Sequence, residues 1–260
     1  MKVCALQLDI VWENKRSNHD KVRAMLDLAG PEEGSLVVLP EMFATGFSMN
    51  VAAIDDSDTC ETQEFMSHLA ADYRVFINGG VVVRDISGRG RNDSVLFDPR
   101  GNEIARYSKI QPFSIAGEKD HYVAGNDVVI IDCGEFRLAP FICYDLRFPE
   151  LFRSATAKGA NLFTVIANWP VARVDHWITL LRARAIETQA FVVGVNRCGD
   201  DPELHYPGRS MIIDPRGVVL EDAGDLENHI LSTLDLTLLL EYRNNFPILS
   251  DIRPDFVPRH

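Results

Sequence analysis

At 260 residues and a formal net charge of −12, the chain presents a surface that disfavours nonspecific binding to phosphate backbones or anionic membranes. Its 46% hydrophobic and 25% charged residues are the balance of a soluble globular protein and exclude a disordered or low-complexity chain. That length can bury a substantial core without disulfides or a structural metal, in one large domain or two small ones.

The N-terminal MKVCALQLDIVW alternates as a strand over Val3–Leu8 and has neither the long apolar core nor the small-residue cleavage site of a signal peptide. Lys15–Ala29 sets Val22, Met25, Leu26 and Ala29 at helical spacing and meets a stop at Gly30–Pro31. Leu36–Leu39 is a short, wholly apolar strand of the buried kind. The pattern then predicts a helix over Glu61–Ala71 and a strand over Arg74–Val83, broken by Gly79–Gly80. Two later segments, Val95–Gly101 and Met211–Gly217, both end an apolar run in Asp-Pro-Arg-Gly, the chemistry of a type I turn closing a hairpin. The echo fits either the reuse of a good turn or an old duplication that gives two similar layers.

Glu103–Ser108 is read as a strand, and Val128–Asp132 with Phe136–Ile142 as a strand pair running straight into Cys143. A helix over Pro149–Lys158, a strand over Asn161–Ala167, a long helix near His176–Gln189 and a strand over Phe191–Asn196 follow. His229–Leu234 and a short helix to Tyr242 close the pattern, and Phe246–His260, with Pro247, Pro254 and Pro258, reads as an extended arm. No linker or composition break divides the chain, so the expectation is one α/β domain over residues 1–260, with helices covering both faces of mixed sheets. No apolar run approaches the roughly 20 residues of a membrane-spanning helix. The five cysteines, Cys4, Cys60, Cys133, Cys143 and Cys198, lack the paired spacing of a zinc or redox motif. Free thiols in a reducing, cytoplasmic setting are therefore expected.

Four residues stand out chemically. Cys143 ends an apolar strand, and Pro149 suits the first turn of the helix beyond it. A thiol at such a junction lies near the positive end of a helix dipole, which favours thiolate. Glu41 immediately follows a buried strand among apolar neighbours (Met42 and Phe43), where a carboxylate is pushed towards the working range of a general base. Lys109 ends the strand after the first Asp-Pro-Arg-Gly turn and could hold an oxyanion. Glu118 lies in the acidic loop Gly117–Tyr122. Each also has an ordinary reading: a core thiol, loop glutamates, a solvated lysine. The coincidence that three of the four stand at strand carboxyl ends, where open α/β folds put their sites, strengthens the joint case.

These residues carry a resemblance. Leu39-Pro-Glu41-Met-Phe, Tyr107-Ser-Lys109, Gly117-Glu118, Ile142-Cys143-Tyr-Asp-Leu-Arg147-Phe-Pro-Glu150, and His176-Trp177 with Leu181–Gln189 resemble the nitrilase superfamily of carbon–nitrogen hydrolases over nearly the whole chain. The resemblance implies a four-layer α-β-β-α sandwich, with Cys143 as nucleophile, Glu41 as general base, Lys109 as oxyanion partner and Glu118 as an additional active-site glutamate. It also implies a small-molecule amide substrate, no metal or organic cofactor, and a homodimer in which the C-terminal arm often crosses to the partner. Within the family, Asn168–Arg173, Gly194–Arg197 and Tyr206–Ser210 resemble the bacterial omega-amidases, which act on 2-oxo acid amides such as 2-oxoglutaramate. Arg173 is then the candidate for the substrate carboxylate, the other reading being a helix-flanking surface arginine, and Trp169 (otherwise packed under its loop), Phe113 and Tyr144 are candidate pocket walls. A deaminated-glutathione amidase is the alternative within the family. Outside it stand a Cys–His hydrolase using His121 or His176, and a catalytically silent binding protein.

Overall fold

Alternation along the first strand decides which side chains face which layer. In β1 (Lys2–Gln7), Val3 and Ala5 enter one apolar cluster while Cys4 and Leu6 enter another. The structure, a computed structural model, describes residues 1–253.

Helix α1 (Lys15–Ala29) starts where the Asn14 side chain accepts the Ser17 N–H and stops at Gly30, which takes a left-handed conformation. After β2 (Leu36–Val38) come the short α2 (Val51–Ile54), α3 (Glu61–Tyr73), β3 (Phe76–Arg84), β4 (Gly90–Phe97) and β5 (Glu103–Ser108). Next are the short α4 (Glu118–His121), β6 (Ile131–Cys133), β7 (Phe136–Ile142), α5 (Pro149–Ala157), β8 (Leu162–Ala167) and α6 (Val174–Thr188). The chain continues through β9 (Phe191–Asn196), β10 (Cys198–Asp200), β11 (His205–Pro207), β12 (Met211–Ile213), β13 (Val219–Asp222), β14 (Asn228–Thr233) and α7 (Leu236–Asn245).

Two six-stranded sheets form, ordered β14-β1-β2-β3-β4-β5 and β13-β12-β9-β8-β7-β6. Their internal logic is the same. β1, β2 and β3 run parallel, flanked by antiparallel β4 and β5; β7, β8 and β9 run parallel, flanked by antiparallel β12 and β13. Both Asp-Pro-Arg-Gly segments close equivalent hairpins, with Gly101 N–H donating to Asp98 O and Gly217 N–H to Asp214 O, each at 2.9 Å. This equivalence accords with the duplication reading.

Val22 and Leu26 of α1 and Met66 and Leu69 of α3 pack on the outer face of the first sheet. Phe152 of α5 and Trp177 and Leu181 of α6 pack on the second, where Phe163 of β8 meets Phe152, and Val3, Ala5, Leu36 and Val38 share a core with Leu138 between the sheets. The result is an α-β-β-α sandwich. Each large apolar side chain buried in these layers contributes roughly 2 kcal/mol.

Two expectations need revision, and one hairpin has no counterpart in the sequence reading. The strand predicted from Val128 begins only at Ile131. The β10–β11 hairpin is too short and polar to show as strands in the sequence. The glycines at 79 and 80 do not break β3, which runs through them. A Cβ on Gly80 would lie 2.3 Å from the Met42 backbone nitrogen and 2.7 Å from Glu41 Cα, so the missing side chain lets the loop carrying Glu41 lie against the strand. Of the expected arm, residues 246–253 include a 3-10 turn at Ile248–Asp251, and Phe246 O accepts a hydrogen bond from Gln189 Nε2. Its remainder, residues 254–260, lies outside the described residues. Among those described, no helix is long and apolar enough to cross a membrane.

Gly80→Ala should push the Glu41 loop off β3. Thermal and urea unfolding should register a loss of about 2 kcal/mol, with a larger proportional loss of activity than of folded protein. Unchanged stability and activity would remove the close approach as a constraint on the site.

Candidate active site

The carboxyl ends of both sheets meet at one edge. Glu41 follows β2, Lys109 follows β5, Cys143 follows β7 and Asn168 follows β8. Glu41 and Glu118 are fully buried, and Lys109 is only 2% exposed. Lys109 Nζ lies 3.0 Å from Glu41 Oε1 and 2.9 Å from Glu118 Oε2. Asn92 Nδ2 donates to Glu41 Oε1 at 2.7 Å and to Glu118 Oε1 at 3.0 Å. Asn168 donates its backbone N–H to Glu41 Oε2 at 2.8 Å, and Phe113 donates its own to Glu118 Oε2 at 2.5 Å. The carboxylate of Glu41 is therefore met by donors rather than by the apolar neighbours that adjacency in sequence suggested. Burial works against a charge on Lys109, but the Glu118 and Glu41 carboxylates outweigh it and hold the ammonium well above its ordinary pKa.

Cys143 has a left-handed backbone (φ 47°), uncommon for a non-glycine residue and typical of a strained elbow that presents a side chain. Its sulfur lies 3.9 Å from Asn168 O. The helix-dipole expectation for this thiol is corrected. A 3-10 turn, Cys143–Arg147, intervenes before α5, so Cys143 does not sit at that helix's N-terminus. Burial, followed by the negative charge of Glu41, pushes the thiol well above its ordinary pKa, although Lys109 pulls the other way. The neutral thiol is thus the resting form, and attack requires a base.

Cys143 opens into a narrow pocket of about 30 Å³ that also meets Phe47, Tyr144, Arg147, Trp169 and Arg173. A chamber of about 230 Å³ adjoins it, sharing Phe47, Phe113, Asn168, Pro170 and Arg173. The Phe113 and Tyr144 rings pack 4.9 Å apart, and the Arg173 guanidinium lies 5.4 Å from the Phe113 ring. Trp169 serves both as wall and as support: it lines the pocket while its indole N–H donates to Arg173 O at 2.7 Å. Arg147 was part of a motif but had no assigned role. Its guanidinium lies 4.6 Å from the Trp169 ring and 3.3 Å from His176 Nδ1. Neither Arg147 nor Arg173 forms an ion pair with a carboxylate among the described residues, and burial followed by the charge of Arg173 lowers the pKa of Arg147.

Neither His121 nor His176 lines the pocket at Cys143, which removes the geometric basis for a Cys–His mechanism. Asp145, like Arg147, lay in the motif around Cys143 without an assigned role, whereas Asn92 and Phe47 carried no sequence signal. Asn92 is one polar residue in the run Arg91-Asn92-Asp93-Ser94, and only tertiary pairing separates it from its neighbours. Among the described residues, no cluster of His, Cys, Asp or Glu has metal-binding geometry.

A family model described as carbon-nitrogen hydrolase matches residues 2–244. The chain is 38% identical over 256 residues to omega-amidase YafV of Yersinia enterocolitica, covering 96% of each chain. It is 34% identical over 254 residues to the 2-oxoglutaramate amidase of Bacillus subtilis, covering 97% of this chain and 98% of that one. A solved CN-hydrolase superfamily protein of Xanthomonas campestris, carrying an arsenic adduct in its active site, superposes with a TM-score of 0.92 at 34% identity, over 100% of this chain and 99% of that one. The chain belongs to the carbon-nitrogen hydrolase family and is a hydrolase acting on the carbon–nitrogen bonds of amides.

Lys109→Met would leave two buried carboxylates without their cation and should cost about 3 kcal/mol or more in urea unfolding. Because the folded-state pKa of Lys109 is raised above the ordinary 10.5, its contribution is fully present below that value and lost only as pH rises through the folded pKa. The deficit should therefore be constant between about pH 7 and 9. A deficit under about 1 kcal/mol would mean that the pair behaves like an exposed one.

Proposed function

We propose that this hydrolase removes the terminal amide of a small 2-oxo dicarboxylic monoamide, such as 2-oxoglutaramate, through a thioester on Cys143. The observation that carries the reading is the pairing, in one narrow pocket, of a buried thiol with two arginines that lack carboxylate partners among the described residues. A guanidinium binds a carboxylate in a bidentate fork, so the pocket suits an amide whose far end is anionic. The names of the relatives point the same way. The narrowness beside Cys143 favours a short acid over a peptide-like amide such as deaminated glutathione.

In this mechanism, Glu41 takes the proton from Cys143 Sγ as the sulfur bonds to the amide carbon. The carbonyl oxygen becomes an oxyanion, held by Lys109 Nζ and the backbone N–H of Tyr144. Glu118, 2.9 Å from Lys109 Nζ, keeps that ammonium in place. Protonated Glu41 returns its proton to nitrogen, the carbon–nitrogen bond breaks and ammonia leaves a thioester. Glu41 then deprotonates a water that attacks the thioester carbon; the carbon–sulfur bond breaks, releasing the acid and restoring the thiol. Every proton and electron pair is supplied by the chain, the amide and water. The five free thiols accord with a cytoplasmic setting. The reading includes a homodimer of single-domain subunits, which would cover exposed apolar side chains such as Leu238, Leu240 and Phe246, each more than half exposed.

Ammonia release from 2-oxoglutaramate, deaminated glutathione and a neutral aliphatic amide tests the reading. The 2-oxo acid should have the highest kcat/KM, and Cys143→Ser should lose at least about 10³-fold. Arg173→Ala should raise KM for the carboxylate substrate about 10- to 100-fold, the worth of a charge-assisted hydrogen bond, while sparing the neutral amide. A clear preference for another amide would overturn the substrate assignment, and an active Cys143→Ser the mechanism.

A further inference from the structure

Asp145 is fully buried two residues beyond Cys143 and takes no part in the chemistry above. Its carboxyl accepts a hydrogen bond from Gln111 N–H at Oδ1 (2.9 Å) and two at Oδ2, from Ile142 N–H (3.0 Å) and the Tyr107 hydroxyl (2.8 Å). The donors bracket the reactive residues. Tyr107 and Gln111 lie two positions to either side of Lys109, and Ile142 immediately precedes Cys143. Lys109 follows a strand of the first sheet and Cys143 a strand of the second. A single carboxyl therefore ties the segment carrying the cation to the segment carrying the nucleophile, across the junction of the sheets.

The elbow at Cys143 gives this tie its purpose. A left-handed conformation at a non-glycine residue persists only where its surroundings hold it. Asp145 reaches back over the elbow to the last N–H of β7, pinning one side of the turn, while its other oxygen is fixed by Gln111. The Tyr107 ring that presents the third donor is itself fully buried and packs edge-on to Phe141, with centroids 5.5 Å apart. The tie is therefore anchored in a strand of each sheet, through Tyr107 of β5 and Ile142 of β7, with Gln111 of the loop after Lys109 as the third donor.

We infer that Asp145 is a positioning residue that sets Cys143 against Lys109, so that its hydrogen bonds govern turnover rather than substrate affinity. The inference rests on the reading of Cys143 as nucleophile and Lys109 as oxyanion partner. A displacement of about 1 Å between reacting groups costs on the order of 10²-fold in rate, and an amide in place of the carboxylate would turn an NH₂ towards at least one of the three donors.

The experiment compares Asp145→Asn and Tyr107→Phe with the native protein and Cys143→Ser, using whichever amide the native protein hydrolyses fastest. Ammonia release gives kcat and KM, mass spectrometry follows thioester formation on Cys143, and circular dichroism confirms folding. Asp145→Asn should lower kcat and the rate of thioester formation by about 10²-fold, with KM within about threefold of native. Tyr107→Phe, which removes one donor and keeps the ring, should lower kcat about tenfold at unchanged KM. A folded Asp145→Asn with near-native kcat, or with its loss carried by KM, overturns the inference. Should Asp145→Asn fail to fold, near-native kcat in Tyr107→Phe overturns it. An active Cys143→Ser would instead overturn the reading on which the inference rests.

Discussion

Lys109 is buried between Glu41 and Glu118, and the need to satisfy those three groups away from water shapes everything around them. Removing ions from water costs several kcal/mol each, and their mutual attraction offsets that cost only when the remaining lone pairs also find donors. Here the donors come from three residues: the Asn92 side chain on β4, the Phe113 backbone, and both the backbone and the side chain of Asn168. None of these is near Lys109 in the chain except Phe113. The cluster can therefore form only when both sheets are in place, and it ties local chemistry to global folding.

The paired architecture explains why the site lies where it does. Each sheet directs the carboxyl ends of its parallel strands to the same edge, and the two edges face one another. One sheet supplies the Glu41 carboxylate and the Lys109 cation, and the other supplies the Cys143 thiol and Asn168. Gly80 lets the Glu41 loop approach β3, and Asp145 spans the gap between the Lys109 and Cys143 segments. Both act at the seam where an error in placement would be felt most.

Charge is arranged in two zones. At the closed end the carboxylates and Lys109 lie near the sulfur, and burial together with the carboxylates keeps it protonated at rest against the pull of Lys109. Nearer the opening stand Arg147 and Arg173, with aromatic faces behind them instead of carboxylates. A guanidinium supported by a ring keeps its donors available to a ligand, whereas one paired with a carboxylate does not. The net negative charge of the whole protein makes this cationic pocket a local exception, so its attraction for an anion acts at short range.

Much of the fold could be read directly from the sequence, because alternation and capping are local signals. The bounds of α1, β5, β7 and β9 follow from the spacing of apolar residues and from stops such as Gly30. The repeated Asp-Pro-Arg-Gly turn marked equivalent hairpins in the two sheets, and the motifs around Glu41, Lys109, Glu118 and Cys143 marked the residues that converge. Local signals fail where the deciding neighbour is distant in sequence. Adjacency to Met42 and Phe43 suggested apolar surroundings for Glu41, but its partners come from residues 92, 109 and 168. Proximity to a helix suggested a thiolate at Cys143, but burial and Glu41 keep it a thiol. The sequence by itself determined the strands, the helices and the reactive residue types. The tertiary structure decided their protonation, their partners and the pair of arginines at the pocket, because charge and hydrogen bonding act through space and register no period along the chain.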